Sequence, residues 1–212
     1  HLLWAMLLSI VATIVLQEMS ARLGLISQKG LSEVLRQEIK QPLMRTGAII
    51  LVLSAIIIGN AAYEAGNISG GVLGLSAIFP NNKIVFLDGE INILSLILGG
   101  MAFGILYNGS YKVLERSLIG LVVLMSVSFL VTAFMTRPDL EAVFKGLFIP
   151  SIPENGLLTI VGLIGTTVVP YNLFLHASIV KEKWKEPTDL KFVVRDTILA
   201  IVVGGMVSLA II

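Results

Sequence analysis

The chain has 212 residues, 56% hydrophobic and 14% charged, with a net charge of +1 and a mean hydropathy of +0.92. A soluble domain carries nearer ~25% charged residues, so this composition points to helices built for lipid. Cysteine is absent, which excludes disulfides and thiolate metal sites, and no basic stripe interleaves with aromatics, which argues against a nucleic-acid partner.

Six apolar segments are predicted as transmembrane helices, at about 1–19, 47–79, 91–107, 117–136, 156–180 and 194–212. The first has no basic leader and no small-residue cleavage site, so it does not read as a signal peptide. His1 is not an initiator Met, and the chain reads as a piece of something longer. Next, Leu31, Val34, Leu35 and Ile39 recur at helical spacing, with Ser32 as a candidate N-cap and Pro42 as the stop. This predicts an amphipathic helix over about 31–41, lying on the membrane surface.

The second apolar segment is too long for one straight span and carries Gly59, Gly66, Gly70, Gly71 and Gly74. It is expected to bend or break in its second half. Glu64 lies deep within it, with Asn60 four residues before and Asn67 three after, all on one helical face. An ionisable group at that depth faces a cavity or a partner. A plainer alternative is a protonated Glu64 that ties helices together through Asn60 or Asn67. The third segment carries Gly99, Gly100 and Gly104, a small-residue face suited to close packing.

The connecting loops alternate in charge. Loops 20–46, 108–116 and 181–195 hold 12 of the 15 basic residues, while loops 80–90 and 137–155 hold 3. The positive-inside rule then puts the first set in the cytoplasm and the His1 end outside.

The fifth segment contains TTVVPYNLFLHAS, residues 166–178. Pro170 cannot donate to the Thr166 carbonyl, and its ring crowds that turn. It also biases Val169 away from helical angles. The carbonyls of Gly165, Thr166 and Thr167 should therefore be freed at membrane depth, where loose backbone is tolerated only inside protein or beside a cavity. Broken helices of this kind hold ions in many secondary transporters. A proline kink healed by threonine hydroxyls is the alternative. Asn172 and His176 are four apart and share a face. With only His1 and His176 present, a zinc-type site is not supported. Oxygen donors remain, and these suit hard divalent cations such as magnesium or manganese. His176 alone reads equally as a hydrogen-bonded packing residue. No nucleophile–base pair appears, so an enzyme is not expected.

These residues resemble a family. VVPYNLFLHASIV looks like the sixth helix of the Nramp divalent-metal transporters, whose pattern there reads Met-Pro-His-Asn-Leu-Tyr-Leu-His-Ser. LLSIVATIVLQEMSARLGLISQKGLSEVLR looks like the family's second helix and the cytoplasmic segment after it. YKVLERSLIGLVVLMSVSFLV is similar to its fifth helix. The resemblance covers the whole chain, from the second to the seventh family helix.

The resemblance implies an all-α membrane protein of the inverted-repeat, LeuT-like fold. Residues 1–212 would form one transmembrane domain of about six spans, with a broken helix near residues 166–172. It implies a secondary transporter of divalent metal cations (manganese, iron or magnesium class) working by alternating access, in a membrane that would be the bacterial inner membrane. The metal would meet Thr166 and Val169 through their carbonyls and Asn172 through its side chain. Glu64, His176 and Asn60 would form a proton or polar path, and Pro170 and Tyr171 would mark the break. Partners would be the metal ion, the bilayer, and an upstream helix of the same protein that completes the site. No bound cofactor is implied, only the transported ion, with protons as a candidate second substrate.

Three departures stand out. Val169 replaces the family Met, whose sulfur favours softer metals. Tyr171 replaces the first family His. Two family acidic positions of the third helix fall on Ala61 and Ser54, so proton coupling is not carried over. A family member kept as a non-transporting or truncated membrane scaffold is the alternative reading.

Overall fold

A computed structural model describes residues 2–80, 83–86, 89–107, 111–154 and 156–211. The described elements are α1 (Leu3–Ser27), α2 (Leu31–Glu38), α3 (Pro42–Ser76), β1 (Lys83–Phe86), β2 (Gly89–Asn92), α4 (Ile93–Tyr107), α5 (Tyr111–Thr136), α6 (Leu140–Phe148), α7 (Leu157–Thr167), α8 (Pro170–Lys183), a 3-10 turn (Pro187–Asp189) and α9 (Leu190–Ile211). Five stretches are long and apolar enough to cross a membrane: Leu3–Ser27, Pro42–Ser76, Leu114–Thr136, Leu157–Lys183 and Pro187–Ile211. The sixth, α4, has 15 residues. At 1.5 Å per residue it reaches about 22 Å, short of a hydrocarbon core of about 30 Å.

The chain divides into two units, residues 1–57 with 126–212, and residues 58–125. In the first unit α1 is the central helix, packed by α6, α7, α8 and α9. Its buried face carries six small or hydroxylic residues, Ala5, Ser9, Thr13, Ser20, Ala21 and Gly24, beside Met6, Ile10 and Leu25. Small faces let helix backbones approach where lipid supplies no hydrophobic drive between helices. Two of these hydroxyls are satisfied within the helix, Ser9 donating to the Ala5 carbonyl and Thr13 to the Ser9 carbonyl, each at 2.7 Å. At one end Ala21, Leu25, Val180 and Val193 close a small core with Trp184 and Leu190 against it.

Helix α1 overruns the predicted span and ends at Ser27. Gln28 then adopts φ 51° and stops it. Its side chain donates to the carbonyls of Leu25 at 2.7 Å and Trp184 at 3.3 Å, joining the ends of α1 and α8. The amphipathic helix α2 begins one residue after Gly30, so Gly30 rather than Ser32 is its cap. The Gly30 N–H donates to Glu33 at 2.9 Å, the carboxylate half of a capping box. Pro42, expected as a stop, is the first residue of α3, where a missing N–H costs nothing.

The predicted break in the second apolar segment is not found. Residues 42–76 are one 35-residue α-helix, because glycine lowers helix propensity by only about 1 kcal/mol without removing a backbone donor. In the second unit, α3 meets α4 closely at Gly71, where an added Cβ would lie 3.0 Å from Leu98 Cδ1. The all-α expectation needs one amendment: β1 and β2 pair antiparallel, Lys83 opposite Asn92 and Phe86 opposite Gly89. The run KIVF is rich in residues that favour extended backbone. Asn92 Oδ1 then accepts the Leu94 N–H at 2.9 Å and starts α4. The glycine pair Gly99-Gly100 and Gly104 meet open space within 4 Å, so among the described residues they form no packed face.

Candidate functional site at the helix break

The fifth apolar stretch is two helices. α7 ends at Thr167, Val168 sits at φ −95°, ψ 76°, Val169 is extended at φ −87°, ψ 123°, and Pro170 is the first residue of α8. The last bond of α7 runs from the Val168 N–H to the Ile164 carbonyl at 2.9 Å. Val169 and Pro170 make no return bond, so among the described residues the carbonyls of Gly165, Thr166 and Thr167 accept no backbone hydrogen bond across the break. Both threonine hydroxyls donate instead to Leu163, Thr166 at 3.1 Å and Thr167 at 2.8 Å. They heal α7 one turn back and leave its last carbonyls open.

Beyond the break, the Val169 carbonyl accepts the Asn172 N–H at 3.1 Å. That leaves Val169 one lone pair rather than two. The Asn172 side chain is half-buried, with no hydrogen-bond partner among the described residues. Tyr171 is half-buried beside it. Carbonyl ends of one helix thus adjoin the positive N-terminal end of another, with Asn172 in the first turn of the second. Oxygen donors of this kind suit a hard cation. Among the described residues no cluster of three or more His, Cys, Asp or Glu could hold a metal ion. A site here would be built from carbonyls and amide.

His176 lies four residues past Asn172, and its Nε2 is 3.0 Å from the Thr197 hydroxyl of α9. That hydroxyl donates to the Val193 carbonyl at 2.8 Å. Its one hydrogen is thereby used, so His176 Nε2 carries the hydrogen of the shared bond and donates it. The contact ties α8 to α9 and leaves Nδ1 as the only open ring nitrogen.

Glu64 and Asn60 belong to the second unit. Asn67 donates to Glu64 at 3.4 Å, so the pairing falls on Asn67, while Asn60 is half-buried on the same helix.

Three contributors escaped sequence reasoning. Met6 of α1 is buried and places its sulfur 3.9 Å from the Thr167 hydroxyl. Ser20 of α1 donates to the Leu173 carbonyl in the first turn of α8. Gly24 lets α1 approach Ala177 one turn further on. Only the small residues Ser20, Ala21 and Gly24 at helical spacing offered a signal, and that signal names no partner. In the last turn of α8, Lys181 pairs with Glu33 of α2 at 3.3 Å. The Gly30 N–H and then Lys181 hold the Glu33 carboxyl below its ordinary range.

All 212 residues match the family described as natural resistance-associated macrophage protein-like, Nramp. The chain belongs to the Nramp family. It is 27% identical to a divalent metal cation transporter MntH of Bacillus subtilis over 98% of the chain and 48% of that relative. It is 27% identical to one of Verminephrobacter eiseniae over 100% of the chain and 47% of that relative. With one of Caldanaerobacter subterraneus it shares 33% identity over 88% of the chain and 42% of that relative. The chain thus spans about half the length of the curated relatives it matches.

Proposed function

We propose that this Nramp chain is part of a secondary transporter that moves divalent metal cations across a membrane by alternating access. The supporting observation is the break at Val168-Val169, where open carbonyls and an unpartnered Asn172 amide meet inside an apolar stretch. Such a gap in lipid costs several kcal/mol per unsatisfied group unless something polar fills it. A cation held by the Thr166 carbonyl, the second lone pair of Val169 and the Asn172 side chain fills it. The remaining ligands come from outside these residues, on a helix upstream in the same protein.

Valine at 169 leaves no sulfur at the family's methionine position, so the ion is of the harder kind, magnesium or manganese before iron. His176 supplies a polar group one turn past Asn172, and proton coupling is a property to be measured. The His1 end faces outward and loops 20–46, 108–116 and 181–195 face the cytoplasm of a bacterial inner membrane.

The test is uptake of magnesium, manganese, iron and calcium by liposomes holding the full-length protein, with and without a proton gradient. Saturable flux of a divalent ion supports the reading. No flux of any of the four, in protein that is folded and inserted, overturns it in favour of a membrane scaffold.

A further inference from the structure

Between α2 and the first turns of α3 lies a groove of about 320 Å3. Its walls are apolar: Leu35 and Ile39 on one side, Ile49 and Val52 on the other. Arg36 and Arg45 line the same groove. Neither guanidinium group has an ion-pair or hydrogen-bond partner among the described residues. Its one acid, Glu33, is already engaged by the Gly30 N–H and by Lys181. The groove thus combines two uncompensated guanidinium groups with an apolar trough. It joins a surface amphipathic helix to a helix long and apolar enough to cross a membrane.

Each ingredient selects for the same ligand. Guanidinium groups bind phosphate oxygens in a planar fork. An apolar trough beside a membrane-spanning helix excludes free ions and accepts a hydrocarbon chain. Basic pockets between such elements attract anionic headgroups. We propose that this groove binds one anionic glycerophospholipid, its phosphate held between Arg36 and Arg45 and one acyl chain lying along Ile49 and Val52. Glu33 links the groove to α8 through Lys181, so a bound lipid holds α2 in the position from which it pairs with the outer part of the broken helix.

The test is native mass spectrometry of the full-length protein in detergent, titrated with phosphatidylglycerol, phosphatidylcholine or inorganic phosphate. One phosphatidylglycerol should bind at least about tenfold more tightly than phosphatidylcholine, as expected for a charge-assisted contact. Arg36→Gln with Arg45→Gln should remove that preference and leave phosphatidylcholine binding unchanged. Ile49→Trp, which fills the trough and keeps both guanidinium groups, should also lose the tight phosphatidylglycerol, and it carries the test alone if the double variant fails to fold. Equal affinity for the two lipids overturns the proposal, as does undiminished phosphatidylglycerol binding in the variants. Inorganic phosphate binding as tightly as the lipid would mark an anion site and overturn it too.

Discussion

Gly24 of α1 lies against the main chain of Ala177 in α8: a Cβ built on Gly24 would come within 2.3 Å of the Ala177 carbonyl oxygen and 2.9 Å of its Cα. The obstacle is backbone, so no rotamer change relieves it. One turn earlier, Ser20 donates to the Leu173 carbonyl, and the next residue of α1, Leu25, closes the small core with Val180, one turn past Ala177. The seam between α1 and α8 fixes the half-helix that begins at the break.

Gly24→Ala should therefore push α8 away from α1. Overpacking typically costs about 1–3 kcal/mol, and a clash with backbone belongs at the upper end. A thermal-unfolding scan of the full-length protein in detergent should show a lowered midpoint and metal uptake should fall with it. Adding Ala177→Gly should not restore either, because the clashing atoms are main-chain. Restoration by that second change would show that the contact is a side-chain one.

The Glu33–Lys181 pair makes a pH prediction. The folded-state pKa of Glu33 lies below the ordinary value of 4.5. A depressed carboxyl contributes stability that is fully present above the unfolded pKa and is lost as pH falls through the folded one. The docking of α2 should thus be unchanged from neutral pH down to about the ordinary carboxylate range and weaken below it. Hydrogen exchange over residues 30–38 reads this directly. Glu33→Gln should speed exchange there at neutral pH and abolish the acid dependence. Lys181→Ala should leave part of the acid dependence in place, because the Gly30 N–H also lowers the Glu33 pKa.

At the break, Asn172→Ala removes a polar side chain that has no protein partner among the described residues, so it should cost little stability. Loss of one ligand from an oxygen site should cut divalent-ion uptake by about tenfold or more. Uptake at the wild-type rate would remove Asn172 from the site. Pro170→Ala restores the donor missing from the helix and lifts the steric block, a change of about 3 kcal/mol in favour of continuous helix. It should leave the protein at least as thermally stable while lowering uptake.

Much of the helix break was legible because its cause is local. Pro170 lacks a donor, and that alone opens the carbonyls before it. Other features turned on partners that a single sequence does not name. Ser20 and Gly24 look like ordinary small residues until α8 is laid against them. Glycines 59, 66, 70, 71 and 74 suggested a break that α3 does not have, since glycine permits a bend and only proline forces one. The pairing of Lys83–Phe86 with Gly89–Asn92 went unseen because the run KIVF is too short for periodicity to separate it from a loop. Ser32 lost its capping role to Gly30 because Glu33 supplies the bond from inside the helix.

Val169 gives the last prediction. Its carbonyl faces the break whatever its side chain, so a substitution there changes only what the side chain adds. Val169→Met would bring a thioether to the position where the family pattern has one, and Met fits an apolar slot with little strain because it is unbranched and adaptable. Soft donors favour later transition metals over magnesium. In a competition assay, the variant should shift uptake toward manganese, iron and cadmium at the expense of magnesium, with total flux retained. The buried sulfur of Met6, 3.9 Å from the Thr167 hydroxyl, is the internal control. Met6→Leu should leave the wild-type preference unchanged, because its sulfur lies against the Thr167 hydroxyl on the α1 side of the break, while that hydroxyl donates to Leu163. A loss of selectivity in Met6→Leu would mean that this chain draws its thioether from α1 instead, and Val169→Met would then add little.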